Sequence, residues 1–562
     1  MIHLIEPLTQ LRDALDRAQL VLTLDGTTEA AETRTELQSQ LVDYVLPRIE
    51  HLDAPLLVVL GGSTGSGKST ITNSLVGDNV SLAGVIRPST RTPVLVARSD
   101  DHAWFEGDGV LPTLPRSTGD RPAAGGLHLV RSDTLPPGLA LLDAPDIDSV
   151  EIANHELAAQ LLGAADAWLF VTTASRYADA VPWEYLRRAR ERAVALAVVV
   201  NRVPPGAEAE VVEHLASMLD ARGLPGVTLI PIAEHGEALD DGRLQADEVA
   251  DVRRWLDDLV SSDRRRDELV VGTITGVLDS LPDRVRVVAD ALDDQHDAFE
   301  TLRRISHEEY ERALTALDDE LGSGSLLRGE VLDRWREHVG TSAVMERLQQ
   351  GVGRLRDRLR ALVTRTSVDV AETREQLGSN LEVLVRNHAD RAALATVERW
   401  ERNVGGEQVL ATADRGIDRP SASLADRLTA ELDAWHDGVF RLVQERAGNK
   451  LAVARVVSLG LNGVSVGVMI AVFSSTGGLT GTEAGVAAGT AAVNQTLLTA
   501  IFGDSALREL VRAVRDDLRL RLAGVFDVER ARFDQLLAEH ASPVSGTDLT
   551  EPLAALGRAR RA

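Results

Sequence analysis

The sequence predicts a two-part molecule. An α/β unit, with a mostly parallel sheet and helices on both faces, is joined to an extended α-helical bundle that carries an apolar helical hairpin. Three observations predict it. Apolar strand-like runs alternate with helical patterns from about residue 54 to 260, as a parallel sheet with helical crossovers requires. Beyond 260 the strand signal ends and apolar residues recur at three- and four-residue steps, the spacing of bundled amphipathic helices. Within that second half, two long uncharged stretches flank a polar, glycine-rich turn.

Residues 1–53 carry helical patterning, with Leu11 and Leu15, then Leu37, Leu41, Val45 and Ile49, at helical spacing. They are expected to pack on the bundle. The α/β unit, 54–260, has strands expected at 56–60, 94–97, 139–143, 168–172, 196–200 and 227–232, with a Gly- and Pro-rich surface loop over 107–126. The helical region, 261–450, shows the spacing in Val285, Val288, Leu292, Phe299, Leu302 and Ile305, in Tyr310, Leu314, Leu317 and Leu321, and in Val352, Leu355, Leu359 and Leu362. Gly322-Ser323-Gly324-Ser325 and Gly405-Gly406 read as breaks between helices. The hairpin occupies 451–503, a returning helix 504–541, and a flexible tail 542–562.

A chain of 562 residues is long enough for several domains. It has no cysteine, which excludes disulfides and thiolate metal sites. A formal charge of −26 argues against nucleic-acid binding and against passive adsorption to anionic lipid. The first residues, Met1-Ile2-His3-Leu4-Ile5-Glu6, lack a basic segment followed by an apolar core, so no secretory signal is expected and the chain is assigned to the cytoplasm.

The most specific motif is Gly62-Ser63-Thr64-Gly65-Ser66-Gly67-Lys68-Ser69, which fits G-x-x-x-x-G-K-[ST] at every fixed position. A strand is expected before it and a helix, with Thr70 in its first turn, after it. Glycines let the backbone wrap a phosphate, and the loop N–H groups and helix N-terminus face the anion. Lys68 and Lys450 are the only lysines in the chain. A compact ammonium suits phosphate oxygens, so Lys68 is expected on the β- and γ-phosphates of a bound nucleotide and the Ser69 hydroxyl on Mg²⁺. No cluster of His or Cys has metal spacing, and phosphate-bound Mg²⁺ is the only metal expected.

The uncharged stretches are 456–473 and 484–502, of 18 and 19 residues. As helices each spans roughly 27–29 Å, at the short end for a hydrocarbon core about 30 Å thick. Lys450 and Arg455 flank one side, and Arg508, Arg512 and Arg515 the other. Both ends are then expected on the cytoplasmic side. The arms are rich in Gly, Ala, Ser and Thr, which permits close helix approach. The hairpin is read as contacting membrane lipid through 456–502, either crossing or dipping into one leaflet. A buried hairpin inside the bundle and an interface for a partner protein are the alternatives.

Further motifs carry a family resemblance. Asn73-Ser74-Leu75-Val76-Gly77 resembles the N-[AS]-L-[LV]-G of translation-factor-class GTPases. Arg87-Pro88-Ser89-Thr90-Arg91-Thr92-Pro93 resembles the first switch of the dynamin superfamily, and Leu141-Leu142-Asp143-Ala144-Pro145-Asp146, which ends an apolar strand with an acid, resembles the D-x-x-G of GTPases, with Asp146 in place of the glycine. Asn201-Arg202-Val203-Pro204 stands where such proteins carry [NT]-K-x-D. Arg202 replaces the lysine, and Pro204 the aspartate that accepts from guanine. With helices before the core, a long helical region after it and the apolar hairpin, the chain resembles bacterial dynamin-like proteins, most of all the actinobacterial dynamin-family group. The motifs cover about the first 230 residues, and the rest matches in architecture.

The resemblance implies an α/β P-loop GTPase domain that binds GTP or GDP with Mg²⁺. Lys68, Ser69, Thr90 and Asp143 would carry catalysis. Ser69, Thr90 and Asp143 would hold the metal, with Thr92 an alternative to Thr90. Residues 62–70, Asn201 and Arg202 would bind the nucleotide. It further implies self-association through GTPase domains, or pairing with a related GTPase, at the inner face of the cell membrane, with membrane remodelling, tethering or fusion as the output. An integral-membrane regulatory GTPase with two spans and a weakly hydrolysing scaffold that recruits partners are the alternatives. Dynamins usually have Gln-Ser where this loop has Thr64-Gly65, which leaves hydrolysis either slow or completed by a partner. Arg176 is either a surface arginine or a residue that completes the site.

Overall fold

The structure, a computed structural model, describes residues 1–81, 92–107, 109–119, 126–149, 152–192, 194–234, 240–322, 370–447 and 502–561, with Ile470 and Leu498 besides. The chain divides into two compact units, residues 1–295 with 542–562, and residues 296–541.

The first unit is built on an eight-stranded sheet in the order β3-β4-β2-β5-β1-β6-β7-β8. Its strands are β1 (Leu56–Gly62), β2 (Val94–Ala97), β3 (Arg116–Ser117), β4 (Leu127–Arg131), β5 (Leu139–Asp143), β6 (Ala167–Thr173), β7 (Ala195–Val203) and β8 (Thr228–Ala233). The β2–β5 pair is antiparallel and the others are parallel. Every residue of β1, β5 and β6 is buried. Both sheet faces are therefore covered, which is why these strands read as unbroken apolar runs. The edge strand β8 exposes both of its ends.

Two expected strands, β2 and β5, have the predicted bounds; β1 and β6 run two residues longer, β7 four longer, and β8 begins and ends a residue later. The short strands β3 and β4 add an edge to the sheet, β3 within the segment read as a surface loop. β4 has only five residues and follows that segment, so its pattern is too brief to stand out.

Helices α1 (Ile5–Arg17), α2 (Thr27–Gln40) and α3 (Leu46–Glu50), with a π-helical turn at Leu41–Val45, group with the α/β unit, whereas the sequence suggested packing on the bundle. A buried ion pair anchors them. Asp166, just before β6, lies 3.1 Å from Arg48 Nε, accepts from the Tyr44 hydroxyl at 3.0 Å, and accepts the Leu57 N–H at 2.8 Å. Residues 542–562 are likewise no loose tail. Gly546–Ala559 is a helix packed on α1, burying Leu549, Pro552 and Leu556. Its start is a capping box, with Ser545 and Asp548 each bonding the other's backbone N–H. The segment reads as a flexible tail in the sequence, but its helix packs an apolar face on α1, which itself buries Leu8, Leu11, Ala14 and Leu15.

The long helix Asp263–Gly322 contributes its residues from His296 onward to the second unit. With it stand the helices Val370–Glu401, Gly406–Leu410, Leu424–Ala447 and Asp504–His540. A break falls at Gly405-Gly406, as expected, and Ser323-Gly324-Ser325 of the other expected break lie outside the described residues. The indole of Trp400 donates to Leu302 O at 2.9 Å and that of Trp435 to Val514 O at 3.0 Å. Trp400 meets Phe533 edge-on, 5.2 Å between centroids. Glu529 is fully buried yet satisfied, accepting from Ser421 N and Oγ and pairing with Arg427 and Arg532. The hairpin at 451–503, apart from Ile470, Leu498, Phe502 and Gly503, lies outside the described residues, as do Val352, Leu355, Leu359 and Leu362. Among the described residues, no helix is long and apolar enough to cross a membrane.

Candidate functional site

The phosphate loop bridges β1 and helix α4 (Lys68–Val76). Two of its glycines are obligatory. Gly62 has φ 151°, and a Cβ there would lie 2.1 Å from Val171 O. Gly67 has φ 102°, and a Cβ would lie 2.3 Å from Asn201 Nδ2. That contact exists because Asn201, near the end of β7, donates from Nδ2 to Ser66 O at 2.9 Å. Asn201 Oδ1 in turn accepts the N–H of Arg202 at 2.8 Å. Arg202 sits at φ 58° with its side chain exposed. Asn201 thus joins the end of β7 to the phosphate loop. The Glu234 N–H donates to Val203 O at 2.8 Å, which brings the end of β8 beside the turn holding Pro204.

Lys68 is buried and folded back over the loop. Its Nζ donates to Gly62 O at 2.8 Å and Ser63 O at 3.3 Å, and pairs with Asp146 Oδ1 at 2.5 Å. Thr70, half-buried in the first turn of α4, has its carbonyl accept from Ser74 Oγ at 2.6 Å.

Asp143 ends β5, and the parallel register sets it opposite Leu60, at the mouth of the loop. Its Oδ2 accepts from Ser69 Oγ at 2.7 Å and from Ser81 Oγ at 2.5 Å. Burial pushes its carboxyl above the usual range, against the pull of Ser81, Ser69 and the Lys68 charge. Its Oδ1 is buried with no hydrogen-bond partner, and so is Ser66 Oγ in the loop. Buried polar oxygens without partners carry a cost. A hard cation beside Asp143 and a phosphate oxygen beside Ser66 would satisfy both, so the residues present fit a Mg²⁺–phosphate group.

Thr90 lies outside the described residues; Thr92, its alternative, lies just ahead of β2. Ser81 was not foreseen. It is brought to Asp143 by Asn73, whose amide donates to Ser81 O at 2.8 Å and accepts the N–H groups of Val80 and Ser81. No motif marks Ser81. The Asn73 signature was the available signal, since its side chain builds the turn.

A second group closes the other side of the loop. Asp148 Oδ1 accepts the Thr64 N–H at 2.6 Å and the Thr64 hydroxyl at 2.8 Å. Its Oδ2 accepts from Arg176 Nη2 at 2.9 Å. Partial burial opposes ionisation of Asp148, but the two Thr64 bonds and Arg176 outweigh it and hold the carboxyl below its usual range.

Five parallel strands, β5-β1-β6-β7-β8, flanked by β2, β4 and β3 running the other way, with a phosphate loop after β1 and a buried aspartate ending the adjacent β5, define the arrangement. The α/β unit has the fold of a P-loop nucleotide-binding domain. Solved structures similar to the chain include an oligomerised bacterial dynamin pair described as sensing and tethering membranes at long range (12% identity, 94% of this chain and 92% of that chain, TM-score 0.41). They also include Era in complex with MgGDPNP and a segment of 16S ribosomal RNA (19% identity, 36% and 56%, TM-score 0.24). A third is Toc33 from Arabidopsis thaliana in complex with Mg²⁺ and GMPPNP (13% identity, 43% and 93%, TM-score 0.22). No protein-family model and no curated protein sequence matches the chain.

Proposed function

We propose that this chain is a dynamin-like GTPase, which hydrolyses GTP with Mg²⁺ and couples turnover to self-association and membrane remodelling, tethering or fusion. The observation that carries the reading is the buried Lys68 ammonium folded over a glycine-built loop, beside the Ser69–Asp143 pair with its unpartnered Oδ1. In this reading the loop N–H groups and Lys68 hold the β- and γ-phosphates. Lys68 stabilises the charge that grows on the γ-phosphoryl oxygens as water displaces GDP. Ser69, Asp143 and Thr90 hold the metal, which when bound neutralises charge across the β- and γ-phosphates. Asp146 leaves Lys68 as the phosphate takes its place. Asn201 and Arg202 serve the base, with Arg202 free to stack on it. The hairpin at 456–502 supplies the contact with lipid, and the protein works at the inner face of the cell membrane.

The Asp146–Lys68 pair also favours a second reading, a nucleotide-binding scaffold with little turnover, because a carboxylate competes with the γ-phosphate for the same ammonium. Hydrolysis of GTP and of ATP, at low and high protein concentration with and without liposomes, separates the two. A GTPase of this kind turns over GTP in preference to ATP, faster at high concentration and on liposomes. Binding with no stimulated turnover supports the scaffold. Unchanged nucleotide binding in Lys68→Ala would sink both.

A further inference from the structure

This inference rests on the hydrolase reading above. Phosphoryl transfer to water needs a side chain that fixes the water in line with the breaking bond. Two carboxylates after β5 reach the phosphate loop, Asp146 and Asp148. Ile147 between them is fully buried, with its N–H on Gly62 O at 3.3 Å, and this directs both carboxylates to the loop. Asp146 is paired with the Lys68 ammonium. Asp148 instead lies along Thr64, where every polar atom of that residue enters one network. The N–H and the hydroxyl donate to Asp148, and the carbonyl accepts from Arg176 Nη1 at 3.3 Å. Arg176 is itself held by Asp179, which accepts from Nε at 2.9 Å. One guanidinium therefore grips the carboxylate, the loop and its own turn together.

We infer that Asp148 orients the water that attacks the γ-phosphate, and that Arg176 is the residue that positions Asp148. The water oxygen forms a bond to the γ-phosphorus, and the bond from that phosphorus to the β–γ bridging oxygen breaks, its electron pair staying on GDP. Asp148 accepts a hydrogen bond from the water, and the water's protons end on the inorganic phosphate released. Thr64 and Arg176 hold the carboxylate where it can exchange a loop contact for a water contact without leaving the site.

The test uses the full chain, with single-turnover GTP hydrolysis and binding of a fluorescent GDP analogue measured on the same preparations. Asp148→Asn and Asp148→Ala are expected to slow hydrolysis by about 10²-fold, with nucleotide affinity changed less than about threefold. Arg176→Ala is expected to slow it by about tenfold, Arg176→Lys to recover part of that, and the double variant to be no slower than Asp148→Ala alone, because the two act as one unit. Hydrolysis within about twofold of the unsubstituted chain in Asp148→Asn overturns the inference. A loss of affinity that matches the loss of rate overturns it too, since the pair would then only shape the loop. An unsubstituted chain that binds nucleotide but hydrolyses none overturns the hydrolase reading itself, a result distinct from either.

Discussion

Asp143 combines two demands that conflict in one carboxylate. In the proposed metal site it must be ionised to hold a cation, yet burial raises its pKa above the ordinary carboxylate value. A group raised in the folded state contributes stability that is complete below the ordinary value and is lost as pH rises through the raised one. Metal-free Asp143→Asn should therefore match the unsubstituted chain in acid and be the more stable of the two at neutral pH. It should also lose any stabilisation by added Mg²⁺. Urea unfolding in chelator at acidic and neutral pH, repeated with Mg²⁺, checks both. Asp148 has the opposite sign. Its lowered pKa contributes stability above the ordinary value that is lost as pH falls through the lowered one. A backbone residue gives a sharper test of the loop. Gly67→Ala, at φ 102° and against Asn201 Nδ2, should cost about 1–3 kcal/mol of stability. It should also abolish nucleotide binding, because the displaced Asn201 no longer anchors Ser66.

At the scale of elements, the helix Gly546–Ala559 is the part that sequence reading placed least well. Leu549→Ala should lower the stability of the first unit by about 2–5 kcal/mol, since Leu549 is fully buried. Ser545→Ala should cost about 0.5–2 kcal/mol through the lost cap. Thermal unfolding of both variants measures this, and a loose tail would register neither. Legibility followed how much of an element's signal was local. The phosphate loop was readable because a strand, glycines, a lysine and a helix are contiguous there. β1, β5 and β6 were readable because burial on both faces leaves unbroken apolar runs. The break at Gly405 was readable because glycine interrupts a long 3.6-residue period. β4 and the last helix are short and lean on partners far away in sequence, so their patterns carried little by themselves. In the site, Lys68, Ser69 and Asp143 belong to motifs. Ser81 reaches Asp143 only through the turn that Asn73 builds, and Arg176 reaches Asp148 only once β6 lies beside β1. Spatial neighbours of this kind leave no trace at fixed spacing.

For the whole molecule, the charge decides what kind of membrane contact is possible. A chain at −26 is repelled by anionic lipid unless apolar insertion outweighs the repulsion. Each uncharged stretch of the hairpin offers 18 or 19 residues. Burying the eleven Val, Leu, Ile, Met and Phe side chains of 456–473 and the six of 484–502, at roughly 1.5–3 kcal/mol each, far exceeds the screened Coulomb cost at physiological salt. Binding to liposomes should therefore survive high salt, and should weaken only modestly as the anionic fraction rises. Deleting 456–502 should abolish it. The deletion removes nothing from the phosphate loop, so GTP binding and dilute, lipid-free turnover should stay within about twofold of the intact chain. What should vanish is stimulation of turnover by liposomes. Flotation through a density gradient, with turnover measured on the same samples, reads all three quantities. Salt-sensitive binding that survives the deletion would move the membrane contact from the hairpin to a basic surface, and the coupling of hydrolysis to lipid would need another element.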